Sequence, residues 1–134
     1  MTYLLDTNIC ISVINRKPRT VIERIQRHAT GEVAISSLTV AELAYGVERS
    51  HYPDRNRIAL LEFLFPFAIL DFDASAAQDY GRIRHSLEVA GTPSGPMDLL
   101  LSAQARSRNL VFVTNNAREF KRVPGLKTEN WARV

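Results

Sequence analysis

The sequence predicts an α/β fold in which helices cover both faces of a mainly parallel sheet. Two observations lead to this prediction. Short apolar runs alternate along the chain with longer segments whose apolar residues recur at helical spacing. No repeat, low-complexity tract or linker divides the 134 residues, so we expect a single domain over residues 1–134.

The apolar runs predict the strands of this sheet. The first run, Tyr3-Leu4-Leu5, ends at the carboxylate of Asp6. We predict strands at residues 3–6, 33–36, 68–71 and 110–114, and a short last strand near Leu126. Because parallel strands present their carboxyl ends at one edge of the sheet, any ligand is expected at that edge.

The helices are predicted from apolar spacing and from residues that start or stop helices. Pro18 and Pro53 suit the first position of a helix, Ser37 and Asp73 are expected caps, and Gly91 is an expected stop. Helices are predicted over residues 7–16, 18–28, 37–48, 53–66, 73–90 and 97–107, with a helical turn near Arg118. The helix over 37–48 is expected to be largely buried, and the one over 97–107 to be central.

Composition excludes several classes of protein. Hydrophobic residues make up 46% of the chain and charged residues 23%, which is typical of a globular protein rather than a disordered one. We find no signal peptide and no apolar stretch long enough to cross a membrane. Cys10 is the only cysteine, so no internal disulfide can form, and a cytoplasmic location is expected. Its apolar neighbours predict a buried side chain rather than a nucleophile.

The charge balance gives a weak indication of a polyanionic partner. The net charge is +3, and fourteen of the 17 basic residues are arginine, whose planar group suits phosphate. Ordinary solvated surface charge explains the same numbers equally well.

Four carboxylates occupy positions that a parallel sheet could bring together: Asp6, Glu42, Asp98 and Glu119. Asp6 follows the first strand, and Glu42 lies in the helix after the second strand. Asp98 begins the helix that precedes the fourth strand, and Glu119 follows that strand. Each has a simpler alternative role: a helix cap for Asp6, a water-facing helix edge for Glu42, a partner of the helix N-terminus for Asp98, and an exposed first turn for Glu119.

Clustered carboxylates repel one another, so such a cluster needs protons or cations. Hard oxygen ligands favour Mg²⁺ or Mn²⁺, and no histidine or cysteine pair has zinc spacing. His28, His51 and His85 lie in polar or loop-proximal stretches and are expected to be solvated. The chemistry that such a site supports is phosphodiester hydrolysis by metal-activated water.

Four segments resemble those of PIN domains, and in particular those of the VapC toxins. Residues 4–8 resemble the opening of the family, 35–46 its second acidic motif, and 95–98 with the apolar helix that follows its third. Residues 113–120, with 123–126 and 130–131, resemble the VapC tail. The resemblance covers essentially the whole chain, with the motifs in the family's order.

The resemblance implies a three-layer PIN-like sandwich and a toxin that is an endoribonuclease dependent on Mg²⁺ or Mn²⁺. It also implies structured RNA, such as tRNA, as the substrate, a homodimer, and neutralisation by a small VapB-type antitoxin. Carried over to this chain, Asp6, Glu42 and Asp98 are the core metal ligands.

The chain departs from the family's pattern after the fourth strand. Many PIN domains have an aspartate there, whereas this chain has Asn115 and Asn116, and the nearest acid is Glu119. We therefore expect Glu119 to be a weaker, water-mediated ligand. Asn8, Thr114 and Asn116 are expected to orient water or carboxylates.

Basic residues flank two of the acidic motifs and suggest contacts to an RNA backbone. They are Arg16, Lys17, Arg19, Arg118, Lys121 and Arg122. Ordinary surface charge is the alternative for each of them.

Two other functions are compatible with parts of the pattern. A phosphatase with Asp6 as nucleophile would need a second aspartate two residues later, where this chain has Asn8. A non-catalytic RNA- or protein-binding PIN-like module would need a degraded acidic site, whereas the three core acids are intact.

Overall fold

The computed structural model describes residues 1–15 and 18–132. These residues form β1 (Tyr3–Leu5), α1 (Thr7–Ile14), α2 (Arg19–Gln26), β2 (Val33–Ser36), α3 (Ser37–Glu48), α4 (Pro53–Leu64), β3 (Ala68–Leu70), α5 (Ala74–Val89), α6 (Pro96–Ser107), β4 (Val111–Val113), α7 (Ala117–Phe120) and β5 (Thr128–Glu129). The predicted helix over 7–16 thus ends at Ile14, and its last residue, Arg16, lies outside the described residues.

The five strands form one sheet in the order β3-β2-β1-β4-β5, and every pairing is parallel. Leu5, the last residue of β1, is in register with Ile35 on one side and Val113 on the other. The strands that precede Asp6, α3 and Thr114 therefore end side by side at the middle of one sheet edge. The predicted α/β class is confirmed.

One apolar cluster lies on each face of the sheet, because alternate strand residues point to opposite sides. One cluster joins the strands to α6, and its buried members are Leu4, Ala34, Leu70, Leu101, Ala105, Leu110, Phe112 and Phe120. The other joins the strands to α1 and α2, with Leu5, Ile9, Cys10, Val21, Val33, Ile35, Val113 and Trp131. Helices cover both faces, which makes the predicted three-layer sandwich.

Helix α5 packs on the outer side of α6 through apolar contacts and one ion pair. Arg106 of α6 donates to both carboxylate oxygens of Asp79 on α5, with distances of 2.8 and 2.6 Å. The same guanidinium donates to the carbonyl of Pro124 at 2.8 Å. Its bidentate contact holds the pKa of Asp79 below the usual range for a carboxyl group. This pair fixes the helix that carries Asp98.

Two local predictions differ from the structure. Ser36, not Ser37, caps α3, because its hydroxyl accepts a hydrogen bond from the backbone N–H of Leu38. The Ser37 hydroxyl instead accepts from the backbone N–H of Phe72 at 3.2 Å. The last strand lies at Thr128–Glu129, two residues beyond the predicted position near Leu126.

The prediction that α3 is largely buried is wrong. Thr39 is its only buried residue, whereas Ala41 and Ala44 are exposed and Tyr45 is 68% exposed. Only one narrow side of α3 meets the core, through partly buried residues such as Val40 and Leu43. An apolar composition therefore did not indicate burial in this helix, and its outer face is open.

The sequence predicted a buried Cys10 and three solvated histidines, of which His51 and His85 are exposed as predicted. Cys10 is buried as predicted, and burial raises the pKa of its thiol, which excludes a reactive thiolate. His28 is not solvated as predicted, since its ring stacks on Trp131 with 5.3 Å between centroids. Among the described helices, none combines the length and the hydrophobicity needed to cross a bilayer.

Candidate active site

Asp6 lies directly after β1 and is only 3% exposed. Its backbone N–H donates to the carbonyl of Val113 at 2.8 Å, which ties it to the neighbouring strand. The backbone of Asp6 occupies the cap position of α1, but its side chain makes no capping hydrogen bond. The backbone N–H groups of Thr7 and Asn8 nevertheless lower its pKa, so the start of α1 stabilises this buried carboxylate although no hydrogen bond caps the helix.

The Asp6 carboxylate is oriented by a hydrogen-bond chain from β4. The Thr114 hydroxyl donates to Asp6 Oδ2 at 2.9 Å, and both groups are buried. The same hydroxyl accepts from the backbone N–H of Asn116 at 3.0 Å. Since that N–H can only donate, the single hydroxyl proton of Thr114 is directed to Asp6. Thr114 thus orients a carboxylate, while the contribution of Asn116 comes from its backbone.

The pKa of Asp6 is raised above the usual range for a carboxyl group. Removal from water is the main cause. The hydrogen bond from Thr114 lowers the pKa, the negative charge of Asp98 raises it, and the backbone N–H groups of Thr7 and Asn8 lower it by a smaller amount. The ionised form of Asp6 is therefore destabilised when no cation is bound.

Asp98 lies in the first turn of α6 and is half-buried. Its pKa is also raised, first by burial and then by the negative charges of Glu119 and Glu42. Asp98 in turn contributes to the raised pKa of Asp6. Each of the other three candidate acids is therefore coupled electrostatically to Asp98.

Glu42 lies on α3 and is exposed, which agrees with the alternative of a water-facing helix edge and not with the expected burial of α3. It is nevertheless held by a hydrogen bond, because the Thr7 hydroxyl donates to Glu42 Oε1 at 3.3 Å. The Thr7 hydroxyl also lies 3.0 Å from the hydroxyl of Thr39, which is buried. These contacts join the start of α1 to α3 beside the acids.

Glu119 lies in the short helix α7 and is half-buried, whereas Asn115 and Asn116 are exposed. Its charge is the larger of the two carboxylate contributions to the raised pKa of Asp98. The acid that follows β4 therefore acts on the same site as the other three.

The four acids share one further property. Within residues 1–15 and 18–132, none of them forms a salt bridge, and the same is true of Glu23, Glu62 and Asp71. The other seven acids do: Glu32, Glu48, Asp54, Asp73, Asp79, Glu88 and Glu129. In the same residues, no three Asp, Glu, His or Cys side chains lie close enough to hold a metal ion in common. Carboxylates without a compensating positive charge repel one another, which is the physical reason to expect these acids to lie apart.

Asn8 is exposed, and no hydrogen bond of its side chain is found within the described part of the chain. Its backbone carbonyl accepts from the hydroxyl of Ser12 at 3.1 Å, which is a contact internal to α1. An orienting role for the Asn8 side chain therefore stays a prediction.

A polar cleft of about 660 Å³ lies beside Glu119. Three basic residues of the predicted RNA contact line it, Arg118, Lys121 and Arg122, and we call them the basic rim. The amide side chains of Asn115, Asn116 and Asn130 line it as well. Arg19 is exposed at the start of α2 and does not line the cleft, and Arg16 and Lys17 lie outside the described residues.

Thr7 and Thr39 are the site residues that the sequence analysis did not identify. Two signals could have indicated them. Thr7 follows the first acid directly, and Thr39 precedes Glu42 by three residues, which places both on one face of a helix.

The sequence is similar to proteins of known activity along nearly its full length. The PIN domain family matches residues 3–126. The tRNA(fMet)-specific endonuclease VapC of Shigella flexneri is 47% identical over 132 residues, which cover 98% of this chain and 99% of the relative. Ribonuclease VapC2 of Haemophilus influenzae is 45% identical over 131 residues, which cover 98% of each.

The fold is similar to that of toxins solved together with their antitoxins. A chain of the DNA-bound VapBC complex from Salmonella typhimurium superposes with a TM-score of 0.92 at 44% identity, covering 98% of both chains. A chain of VapBC2 from Rickettsia felis, bound to a promoter DNA fragment, gives 0.90 at 41% identity, covering 98% of this chain and 99% of the other.

Proposed function

This chain belongs to the VapC ribonucleases of the PIN-domain family, and from that premise we propose that its acidic site hydrolyses tRNA with the help of Mg²⁺ or Mn²⁺. Asp6, Asp98 and Glu42 are the proposed metal ligands, and Glu119 is a weaker, water-mediated fourth. The observation that carries the proposal is that Asp98 is coupled to each of the other three acids, while none of the four has a basic partner within the described residues.

These acids suit a hard divalent cation. All four supply oxygen ligands, which are the type that Mg²⁺ and Mn²⁺ prefer. Burial and like charge raise the pKa of Asp6 and Asp98, so the ionised acids lack the compensating charge that a cation would provide. A bound cation would activate water for attack at phosphorus and offset the negative charge that develops on the phosphate oxygens.

The remaining groups of the site would position the carboxylates and the RNA. Thr114 holds one oxygen of Asp6, so that carboxylate has a fixed orientation. The basic rim lines the cleft beside Glu119, where its charges would hold a phosphate backbone against the acids. In such a hydrolysis, water would add to phosphorus and lose one proton, the bond to the leaving oxygen would break, and that oxygen would take up one proton.

Initiator tRNA is the substrate that the relatives suggest. The VapC of Shigella flexneri, at 47% identity, and that of Salmonella typhimurium, at 44%, are both named tRNA(fMet)-specific endonucleases. This chain covers 98% of the Salmonella typhimurium protein and 99% of the Shigella flexneri protein. We propose the same RNA for this toxin, which would then act in the cytoplasm.

An apolar groove of about 760 Å³ is the proposed site for a VapB-type antitoxin. It is lined by residues of α1 to α4, and its larger apolar members are Ile11, Val13, Ile14, Ile22, Leu43, Val47, Leu60 and Phe63. An amphipathic segment of a partner would fill such a groove. Related toxins are solved in VapBC complexes, which supports an antitoxin as the occupant.

We also propose that the toxin is a homodimer. Large apolar side chains remain exposed on α3, on α4 and after it, including Tyr45, Leu61 and Phe65, the last being 90% exposed. Exposed apolar surface of this kind is typical of protein interfaces.

The experiment incubates the purified toxin, freed of antitoxin, with total tRNA and with Mg²⁺, Mn²⁺ or EDTA. We expect discrete cleavage with either metal and none with EDTA, and sequencing of the new ends to identify the RNA. Binding of tRNA without cleavage in any condition would contradict the proposal and favour a non-catalytic RNA-binding module.

A further inference from the structure

A hydrogen-bond chain from Thr39 through Thr7 ends on the carboxylate of Glu42. The two hydroxyl oxygens lie 3.0 Å apart, and the Thr7 oxygen lies 3.3 Å from Glu42 Oε1. We propose that Thr7 is a positioning residue for Glu42, held in its donating orientation by Thr39. This inference rests on the proposed role of Glu42 as a metal ligand.

The direction of the chain follows from the number of protons available. A threonine hydroxyl has one proton, and an ionised carboxylate can only accept. When Thr7 donates to Glu42, the contact between the threonines requires Thr39 to donate to Thr7. The opposite direction would leave Glu42 without its donor.

Burial makes Thr39 a dependable donor. Its side chain is fully buried, and the Thr7 hydroxyl is its only side-chain partner within residues 1–15 and 18–132. A buried hydroxyl without a partner is costly, so Thr39 retains this contact. Thr39 and Glu42 are three residues apart on α3, which places both facing the start of α1.

The same arrangement occurs at Asp6 on the other side of the site. There a backbone N–H donates to Thr114, and Thr114 donates to the carboxylate. Asp6 is also fixed by burial, whereas Glu42 is exposed and has an additional side-chain torsion. Because an exposed glutamate loses conformational freedom when it binds a ligand, a preset orientation matters more for Glu42.

The test compares Thr7→Val, Thr7→Ser and Thr39→Val with the wild-type toxin and with Thr20→Val. Thr20 donates to the carbonyl of Ala132 at 3.1 Å, so the control loses one threonine hydrogen bond outside the acidic site. The readouts are Mn²⁺ affinity by calorimetry, thermal stability in EDTA, and tRNA cleavage. We expect Thr7→Val to weaken Mn²⁺ binding about tenfold and Thr39→Val to act in the same direction. Thr7→Ser and Thr20→Val should bind Mn²⁺ as the wild type does.

The outcomes separate this inference from the proposed function. Unchanged Mn²⁺ affinity in Thr7→Val, with a wild type that binds Mn²⁺ and cleaves tRNA, would overturn the positioning role alone. Weaker binding that Thr7→Ser does not restore, with an equal loss of thermal stability, would assign Thr7 a purely structural role and overturn it as well. A wild type that neither binds Mn²⁺ nor cleaves RNA would overturn the proposed function and this inference with it.

Discussion

Asp6 is the most constrained residue of the candidate site. It is buried, accepts a hydrogen bond from Thr114 and is repelled by the negative charge of Asp98. Burial and like charge outweigh the favourable hydrogen bond, so its pKa is raised. A protein tolerates such a carboxylate when a ligand compensates the cost, and a cation at the proposed site would do so.

The raised pKa predicts that Asp6→Asn stabilises the protein in EDTA at neutral pH. The folded state holds the proton of Asp6 more tightly than the unfolded state does. The free energy of unfolding therefore falls as pH rises through the interval between the two pKa values, and the full cost remains above it. Asparagine carries no charge, so the advantage of the variant should shrink as pH falls into the ordinary range for a carboxyl group.

Urea unfolding of both proteins across this pH range checks the prediction. Asp71→Asn is the matched control, because Asp71 is exposed after β3, and it should show no such pH-dependent difference. An Asp6→Asn variant that is less stable than the wild type at every pH would contradict it.

For individual residues, the sequence predicted the place of each acid relative to the strands and helices better than it predicted the burial of its side chain. Asp6 follows a buried strand and Asp98 begins an apolar helix, and both acids are at least half-buried. The helix of Glu42 was expected to be largely buried because its residues are apolar, but several of them, such as Ala41 and Tyr45, are exposed. Thr7 and Thr39 could not be paired from the sequence, because their contact depends on how α1 packs beside α3.

Among the secondary-structure elements, helices α3 and α4 form a layer that is only partly used by the fold. They contact each other, yet α4 has no buried residue. One side of α4 lines the apolar groove through Ala59, Leu60 and Phe63. The element positions were predicted, but apolar spacing alone does not distinguish a helix face that packs inside the chain from one left for a partner.

A negative charge in the groove should weaken antitoxin binding. Ala59 is exposed, lines the groove and lies within α4, so Ala59→Glu should fold normally. We expect affinity for the antitoxin to fall at least about tenfold, because the complex would bury an unpaired charge. Cleavage of tRNA by the free toxin should be unchanged.

Binding measured by calorimetry or surface plasmon resonance tests this. Ile58→Glu is the matched control, since Ile58 is exposed on α4 but does not line the groove. Equal affinity for Ala59→Glu and the control would place the antitoxin elsewhere.

Across the whole molecule, the basic side chains near the acidic site are placed as the proposed RNA substrate requires. The net charge is only +3, but the basic rim lies beside the acidic site. Net charge alone could not distinguish this arrangement from ordinary surface charge, because the distinction depends on where α7 places its side chains. The parallel sheet, in contrast, was predictable, since strands separated by helices leave few alternatives.

Replacing the basic rim should weaken RNA binding in a salt-dependent way. With Arg118, Lys121 and Arg122 all changed to Ala, the plot of log affinity against log salt should become less steep by about 0.7–0.9 for every phosphate that the variant no longer neutralises. A triple alanine variant of the exposed residues Arg27, Arg49 and Arg55 has the same net charge and lies outside the cleft. An unchanged slope in the rim variant would show that the rim binds no phosphate.

If the coupled acids carry the cleavage, Asp98→Asn should remove most of it. Asp98 interacts with Asp6, Glu42 and Glu119, and the substitution removes its charge while preserving its shape. Initiator tRNA binding and Mn²⁺-dependent cleavage would be measured side by side for the wild type and the variant. We predict that the variant still binds the RNA and that its cleavage rate falls by about 100-fold or more. Cleavage at the wild-type rate by Asp98→Asn would show that these acids do not form the active site.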